Sequence, residues 1–388
     1  MTLSRIAAGD AYTGQPLPWD LCDESGRLLL RQGFVVVHAA QWTRLLDAGL
    51  YRRDAAPFAV AAAGGQAERL ASREKCTVFE RVAAILRRLD SLLAQPPSTD
   101  FAPRVLALAD AVQQCFAQDA DAAIATIQLI EVQRYSVRRL VHAAILCELL
   151  QRHEGVAPAQ RRVLLAAALT MNIAMLDLQD QLNLQTTPPD AAQRAQLRDH
   201  PLAATRILKA LGVQDAQWLT AVAQHHETID GKGYPLGLEG ADLSRDAQIL
   251  SMVDRYGSMA IGRAYRAPVL PNVVLKKIFL DKEAVDPKLA ALLVGAVGMY
   301  PPGSLVALAS GELAMVVKRS PVASQPLVYC LQDARGLRID PPRRRLTSEP
   351  AFAVARLVAG SELAFVPDAA VLWDQSFEMA ALPKAGVA

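Results

Sequence analysis

The sequence predicts a mainly α chain, with a small α+β module at its N-terminus and a short antiparallel β element near its C-terminus. Three features carry this prediction. Apolar residues recur at helical spacing from about residue 74 to 298; residues 16–37 alternate apolar and polar positions around a turn; and alternation returns beyond Tyr300 around Ser310-Gly311. With 388 residues, 52% of them hydrophobic, the chain can build two or three domains around a substantial core.

The elements follow in order. PLPWDLCDESGRLLLRQGFVVV alternates around an ESG turn, and AAQWTRLLDAGLY has a helical apolar period ending near Gly49, so residues 1–55 read as the α+β module. Residues 56–72, APFAVAAAGGQAERLAS, are low in complexity and read as a linker. A helical connector is expected over 73–124 and the main helical domain over 125–298. Within that domain one stripe runs through Val132, Tyr135, Arg139, Ala143, Leu146 and Leu150, and another through Leu165, Ala168, Asn172 and Met175, so polar residues lie on both apolar faces. His200-Pro201 reads as a helix start, with Gly212 closing the same helix. Residues 299–350 read as the β element, and 351–388 as a tail without an assigned structure.

Composition excludes several function classes. The formal net charge of +2 offers no general attraction to nucleic acid or to an anionic membrane. Two basic clusters, PPRRR (341–345) and Lys276-Lys277, read as a solvated loop and a solvent-facing helix side. The first thirty residues lack a basic segment followed by an apolar one, and the uncharged stretch 163–176 is too short to span a bilayer. A cytoplasmic protein with no membrane insertion and no nucleic-acid partner is therefore expected. Cys22, Cys76, Cys115, Cys147 and Cys330 are scattered, without a CxxC pair, which suits free thiols in a reducing compartment.

The chemistry concentrates in one region. His200, His225 and His226 lie close in sequence, and Asp254 falls on the helical stripe Leu250, Asp254, Gly257, Ile261. A carboxylate on a buried stripe needs a cation, a metal or strong donors. Imidazoles and carboxylates are the ligands that zinc, iron or manganese accepts. Between residues 225 and 235 stands HHETIDGKGYP, which resembles the HHExxDGxGYP signature of the HD-GYP family of bacterial, metal-dependent cyclic di-GMP phosphodiesterases within the HD superfamily. DHPLAATRIL and QILSMVDRYGSM resemble two further family segments, in the same order. The resemblance covers roughly 125–298 and implies a helical HD-type fold. It also implies metal-ligand roles for His200, His225, His226 and Asp254. RAYR at 263–266 is similar to the family's RPY(K/R) stretch, which implies nucleotide contacts from Arg263, Arg266 and Tyr234.

The sequence departs from the family at the dyad that names it. Where the family has a segment such as LLHDIGK, this chain has LTMNIAM, so Met171 and Asn172 replace the His and Asp, and Met175 replaces the lysine. An amide offers only a neutral oxygen and a thioether is a poor ligand for a hard metal, so one metal site is expected to be missing. Upstream, Arg139 aligns with another ligand histidine, with nearby His142 as the alternative occupant. The expectation is that the Arg139 guanidinium replaces the missing metal cation and pairs with Asp254.

These readings converge on a cyclic di-GMP signalling protein with a degenerate, non-catalytic HD-GYP domain. It is expected to bind nucleotide, a partner protein such as a GGDEF-type synthase, or both, through a loop made of Asp230, Gly231, Lys232, Gly233, Tyr234 and Pro235. The cofactor expected is none, or a single divalent Fe, Mn or Zn at the residual histidines. The competing reading is a phosphodiesterase that uses those three histidines, with Glu227 or Lys232 as proton donor. A dimer is compatible with the apolar helix faces.

Overall fold

The computed structural model describes residues 3–5, 20–22, 28–30, 51–53, 76–95, 98–130, 134–263, 266–363, 365 and 367–373. The helix expected within 39–50, the linker 56–72 and residues 374–388 lie outside these. The chain divides into two units, 1–75 with 358–368 and 76–357 with 369–388.

The described residues of the first unit include a four-stranded antiparallel sheet of β1 (Leu3–Arg5), β2 (Asp20–Cys22), β3 (Leu28–Leu30) and β4 (Tyr51–Arg53), in the order β1-β4-β2-β3. β2 and β3 are the two arms of the alternating segment, with Leu21 opposite Leu30. Leu21 is fully buried.

The second unit opens with α1 (Val78–Ala94), which begins where a capping box becomes available: Thr77 accepts from the Glu80 amide, and the Glu80 carboxylate accepts from the Thr77 amide. Then come α2 (Phe101–Gln118), α3 (Ala120–Leu129), α4 (Tyr135–His153), α5 (Pro158–Thr170), α6 (Leu176–Leu184), α7 (Ala191–Ala210), α8 (Ala216–Gln224), α9 (Arg245–Ala260), α10 (Pro271–Leu280) and α11 (Pro287–Val297). One apolar core runs from Val78 to Val297, so the helices within 73–124 share it with those of 125–298. α4 is the central helix. From Tyr135 to Gln151 every residue except Arg138 is buried, as expected of a helix covered on all sides and not along one stripe. Its buried charges are paired: Glu148 meets Arg161 at 3.0 Å and Arg152 at 3.7 Å. No described helix is long and apolar enough to cross a membrane.

The expected helix start at His200-Pro201 is corrected by the structure. Both residues lie inside α7, which starts at a second capping box, Asp190 with Gln193. The polar run after Asp190 concealed this start, because it has no apolar period to read. The helix ends at Ala210 with Leu211 as its C-cap, and Gly212 follows at φ 83°, the left-handed conformation that glycine adopts without strain.

Beyond the helices, β5 (Leu305–Leu308), β6 (Leu313–Lys318), β7 (Leu327–Gln332), β8 (Arg338–Leu346) and β9 (Val354–Val358) form an antiparallel sheet ordered β8-β7-β6-β5-β9. Gly311, at φ 84°, makes the turn between β5 and β6. PPRRR is not a loop: it lies in β8, a sheet edge where proline's missing donor is tolerated, and Arg345 bonds Glu312 at 2.8 Å.

Candidate functional site

The site is built by α4, α7, α8, α9 and the loop after α8. His200 Nε2 and His225 Nε2 stand 3.1 Å apart, and potential ligand nitrogens of His200, His225 and His226 all lie within 4.8 Å of one another. His200 and His225 are buried and His226 is partly exposed. Each of the first two rings is held from behind. His200 Nδ1 lies 2.7 Å from the Leu197 carbonyl and His225 Nδ1 lies 2.7 Å from the Val222 carbonyl. A carbonyl can only accept, so both Nδ1 atoms carry the proton and both Nε2 atoms present lone pairs to each other.

Two lone pairs facing at that distance repel unless a cation lies between them. Ligand nitrogens ~2.0–2.1 Å from a tetrahedral ion stand about 3.3 Å apart, close to what is seen here. The backbone carbonyl behind each ring is the support that metal-bound histidines use. The donor set therefore fits one borderline divalent ion.

Burial, first of all, keeps these rings neutral. It pushes His200 down to about 3, with His225 and Arg139 adding to the effect. It lowers His225 as well, partly offset by Asp254, and lowers His226 strongly, with the neighbouring rings and Arg139 contributing.

Arg139 Nη2 meets Asp254 Oδ1 at 2.5 Å and the Asp254 carbonyl at 3.2 Å, and both side chains are over nine-tenths buried. Asp254 thus has a fixed cation as its partner. His142, on the same helix as Arg139, is also buried, but neither of its ring nitrogens has a hydrogen-bond partner among the described residues, and it is no member of the three-histidine cluster. Met171, Asn172 and Met175 are buried in the turn between α5 and α6. Both amide atoms of Asn172 lack a partner there, and no described polar or ring contact ties Asn172 to the cluster.

The loop after α8 is organised around Glu227. This side chain is 1% exposed, and its two oxygens accept from the backbone amides of Leu236 at 2.6 Å and Leu238 at 3.0 Å. Glu227 is therefore committed to loop structure, which removes it as the expected proton donor. Lys232 is exposed and pairs with Asp230 at 3.1 Å and Glu283 at 3.4 Å. Asp230 is held down to about 2, chiefly by the Thr228 hydroxyl. A side chain at Gly233 would run into the backbone of Glu227 and Thr228, so that glycine is required for close approach. We expect Glu227→Ala to destabilise the loop by about 2–4 kcal/mol, because two amides lose a charged acceptor. Glu227→Gln, with an amide donor facing a backbone donor, is expected to do the same. Limited proteolysis at 230–238 checks this: a loop as resistant as the wild type in both variants refutes it.

Tyr234 stacks on His226 with centroids 4.8 Å apart and planes 20° apart, and its amide donates to the His226 carbonyl at 3.1 Å. Burial pushes its hydroxyl up to about 12. Above the Tyr234 ring, at 5.8 Å, sits the guanidinium of exposed Arg198. Sequence reasoning missed this residue. The available signal was its place two residues before His200, on the helix that carries that ligand candidate. Arg263 and Arg266 exchange backbone hydrogen bonds at 2.8 and 3.0 Å, and the Arg266 guanidinium donates to the Ser258 carbonyl near the end of α9 at 2.6 Å. That bond directs Arg266 to a helix terminus.

A family model described as HD domain matches residues 107–289. Over 123 residues the chain is 32% identical to a cyclic di-GMP phosphodiesterase of Pseudomonas aeruginosa, covering 32% of this chain and 30% of that protein. Over 169 residues it is 27% identical to 3'3'-cGAMP-specific phosphodiesterase 3 of Vibrio cholerae, covering 43% and 36%. The chain thus spans about a third of the length of these relatives. A solved HDG"Y"P protein from Bdellovibrio bacteriovorus overlaps 75% of this chain and 98% of its own, at TM-score 0.49 and 14% identity. Residues 107–289 thus match an HD domain, and within them HHETIDGKGYP, which resembles the HD-GYP signature, is seated beside three converging histidines.

Proposed function

We propose that this protein is a cyclic di-GMP signalling protein whose HD-GYP domain works by binding and not by hydrolysis. The observation that supports this best is the buried Arg139–Asp254 pair. It engages the one carboxylate of the expected ligand set and sets a permanent positive charge beside the histidines, where it opposes a divalent ion. In this reading Arg139 stands in for a metal cation. The nucleotide is received at the outer face of the site, where Tyr234 offers a ring for a base and Arg198 a guanidinium for a phosphate, with Arg263 and Arg266 as further phosphate contacts. Loop residues 230–235 present Lys232 to solvent and serve as the surface for a partner protein such as a GGDEF-type synthase.

The alternative is a phosphodiesterase with a single metal. It is favoured by the fixed tautomers of His200 and His225, which with His226 would hold one Fe, Mn or Zn ion. Such an ion supplies a water of lowered pKa. With Glu227 committed to the loop and Lys232 in exposed ion pairs, neither is placed by its contacts to protonate a leaving ribose oxygen.

The deciding experiment measures metal content after anaerobic purification with iron, manganese and zinc supplied, together with cyclic di-GMP binding and hydrolysis on the same sample. We expect binding without turnover, weakened about tenfold by Arg198→Ala through loss of a charge-assisted contact at an exposed position. Stoichiometric metal with turnover that disappears in His225→Ala would establish the alternative. Absence of nucleotide binding in the wild type would leave the partner-binding loop as the remaining role.

A further inference from the structure

Pro201 is the eleventh residue of the twenty-residue helix α7, and it is buried. Proline is the least favourable residue that a helix interior can hold, because it lacks an N–H and its ring crowds the carbonyl four residues earlier. In α7 that carbonyl belongs to Leu197. It is the same carbonyl that receives His200 Nδ1 at 2.7 Å. In an uninterrupted helix the amide of residue 201 would claim this acceptor and hold it along the helix axis.

His225 reaches the same state by another route. Its Nδ1 bonds the Val222 carbonyl close to the C-terminal end of α8, where helix carbonyls have no intrahelical partner. His200 lies mid-helix, where a carbonyl ordinarily already accepts the amide four residues on, and a side chain can only share it, as the Thr205 hydroxyl does at the Pro201 carbonyl. The two rings nevertheless present matching Nε2 lone pairs to each other.

We propose that Pro201 is a positioning residue for His200. By withdrawing one backbone donor it dedicates the Leu197 carbonyl to His200 Nδ1, and so fixes the ring in the tautomer whose Nε2 faces His225. This goes beyond the signalling reading and does not depend on cyclic di-GMP.

The test is Pro201→Ala in the full chain. Alanine restores the amide, so the thermal midpoint is expected to rise. Zinc affinity, measured by competition with a chromophoric chelator, is expected to fall about tenfold, as for loss of other supporting partners of a ligand histidine. Nitrogen-15 shifts of His200 in the metal-free protein are expected to show mixed tautomers in place of pure Nδ1–H. A merely structural proline would move stability and affinity in the same direction, or leave affinity alone. Pro158→Ala, at the first position of α5, is the control and leaves zinc affinity unchanged. A His200 ring that stays wholly Nδ1–H in Pro201→Ala overturns the proposal whether or not the wild type takes zinc. Where the wild type holds zinc, an unchanged affinity overturns it as well.

Discussion

Arg139→Met is expected to destabilise the helical unit by about 3–5 kcal/mol, because it leaves the Asp254 carboxylate buried and without its cation. Both side chains are nearly inaccessible, so water cannot compensate without opening the site. Asp254→Leu alone is expected to cost a similar amount, since it strands the guanidinium. The double variant Arg139→Met with Asp254→Leu should recover most of the loss, because well-packed apolar groups often replace a buried pair at little cost. Urea denaturation of the four proteins gives the coupling directly. Additive losses would mean that the pair is not an energetic unit, and the reading of Arg139 as a replacement cation would fall with it. Arg139→His tests the functional side: tight metal binding in a folded variant is the expected gain once the fixed charge is gone.

Lowering the pH from 7 to 5 is the second change with a large expected effect. His142, His200 and His225 are buried, and burial holds each below the ordinary histidine range. In the unfolded chain they take up protons near the usual value of about 6.5. The folded form binds fewer protons, so the stability these groups contribute is fully present above that value. It is lost as the pH falls from about 6.5 toward the folded-state values, about 3 for His200. The slope is about 1.4 kcal/mol per pH unit for each histidine that stays neutral in the fold. Carboxylates titrate mostly below this window, so denaturation at pH 7, 6 and 5 isolates the effect. Equal stabilities at the three values would show that these rings take up protons within the fold. Added zinc should shift the loss to lower pH if the three-histidine set holds it.

The two results bear on different links of one chain of cause. The ion pair decides what charge the site carries, and the neutral rings decide what it can accept. A permanent guanidinium and three imidazoles held as lone-pair donors make a site that repels cations from one side and attracts them from the other. The loop organised by Glu227 closes over this arrangement through Tyr234.

Much of this was legible in the sequence because it is carried by local pattern. Helical periodicity marked the helical region, alternation around Ser310-Gly311 marked β5 and β6, and HHETIDGKGYP marked the loop with its histidines. The residues brought together from distant segments, Arg139, His200, His225, His226 and Asp254, were nominated through motif resemblance, since spacing alone does not bring α4 to α9.

What only the tertiary structure decided is how side chains spend their hydrogen-bonding capacity. Glu227 reads as a candidate acid in sequence, but the returning chain at Leu236 and Leu238 takes both its oxygens. Arg198 looks like one more charge on a polar helix, yet the fold brings Tyr234 beneath it. His200-Pro201 carries the marks of a helix start, whereas the capping box at Asp190 places it mid-helix and turns the proline into a source of a free carbonyl. In each case the sequence determined which groups were available. Burial and three-dimensional proximity determined their partners, because a buried polar group must take whatever donor or acceptor the fold brings within reach.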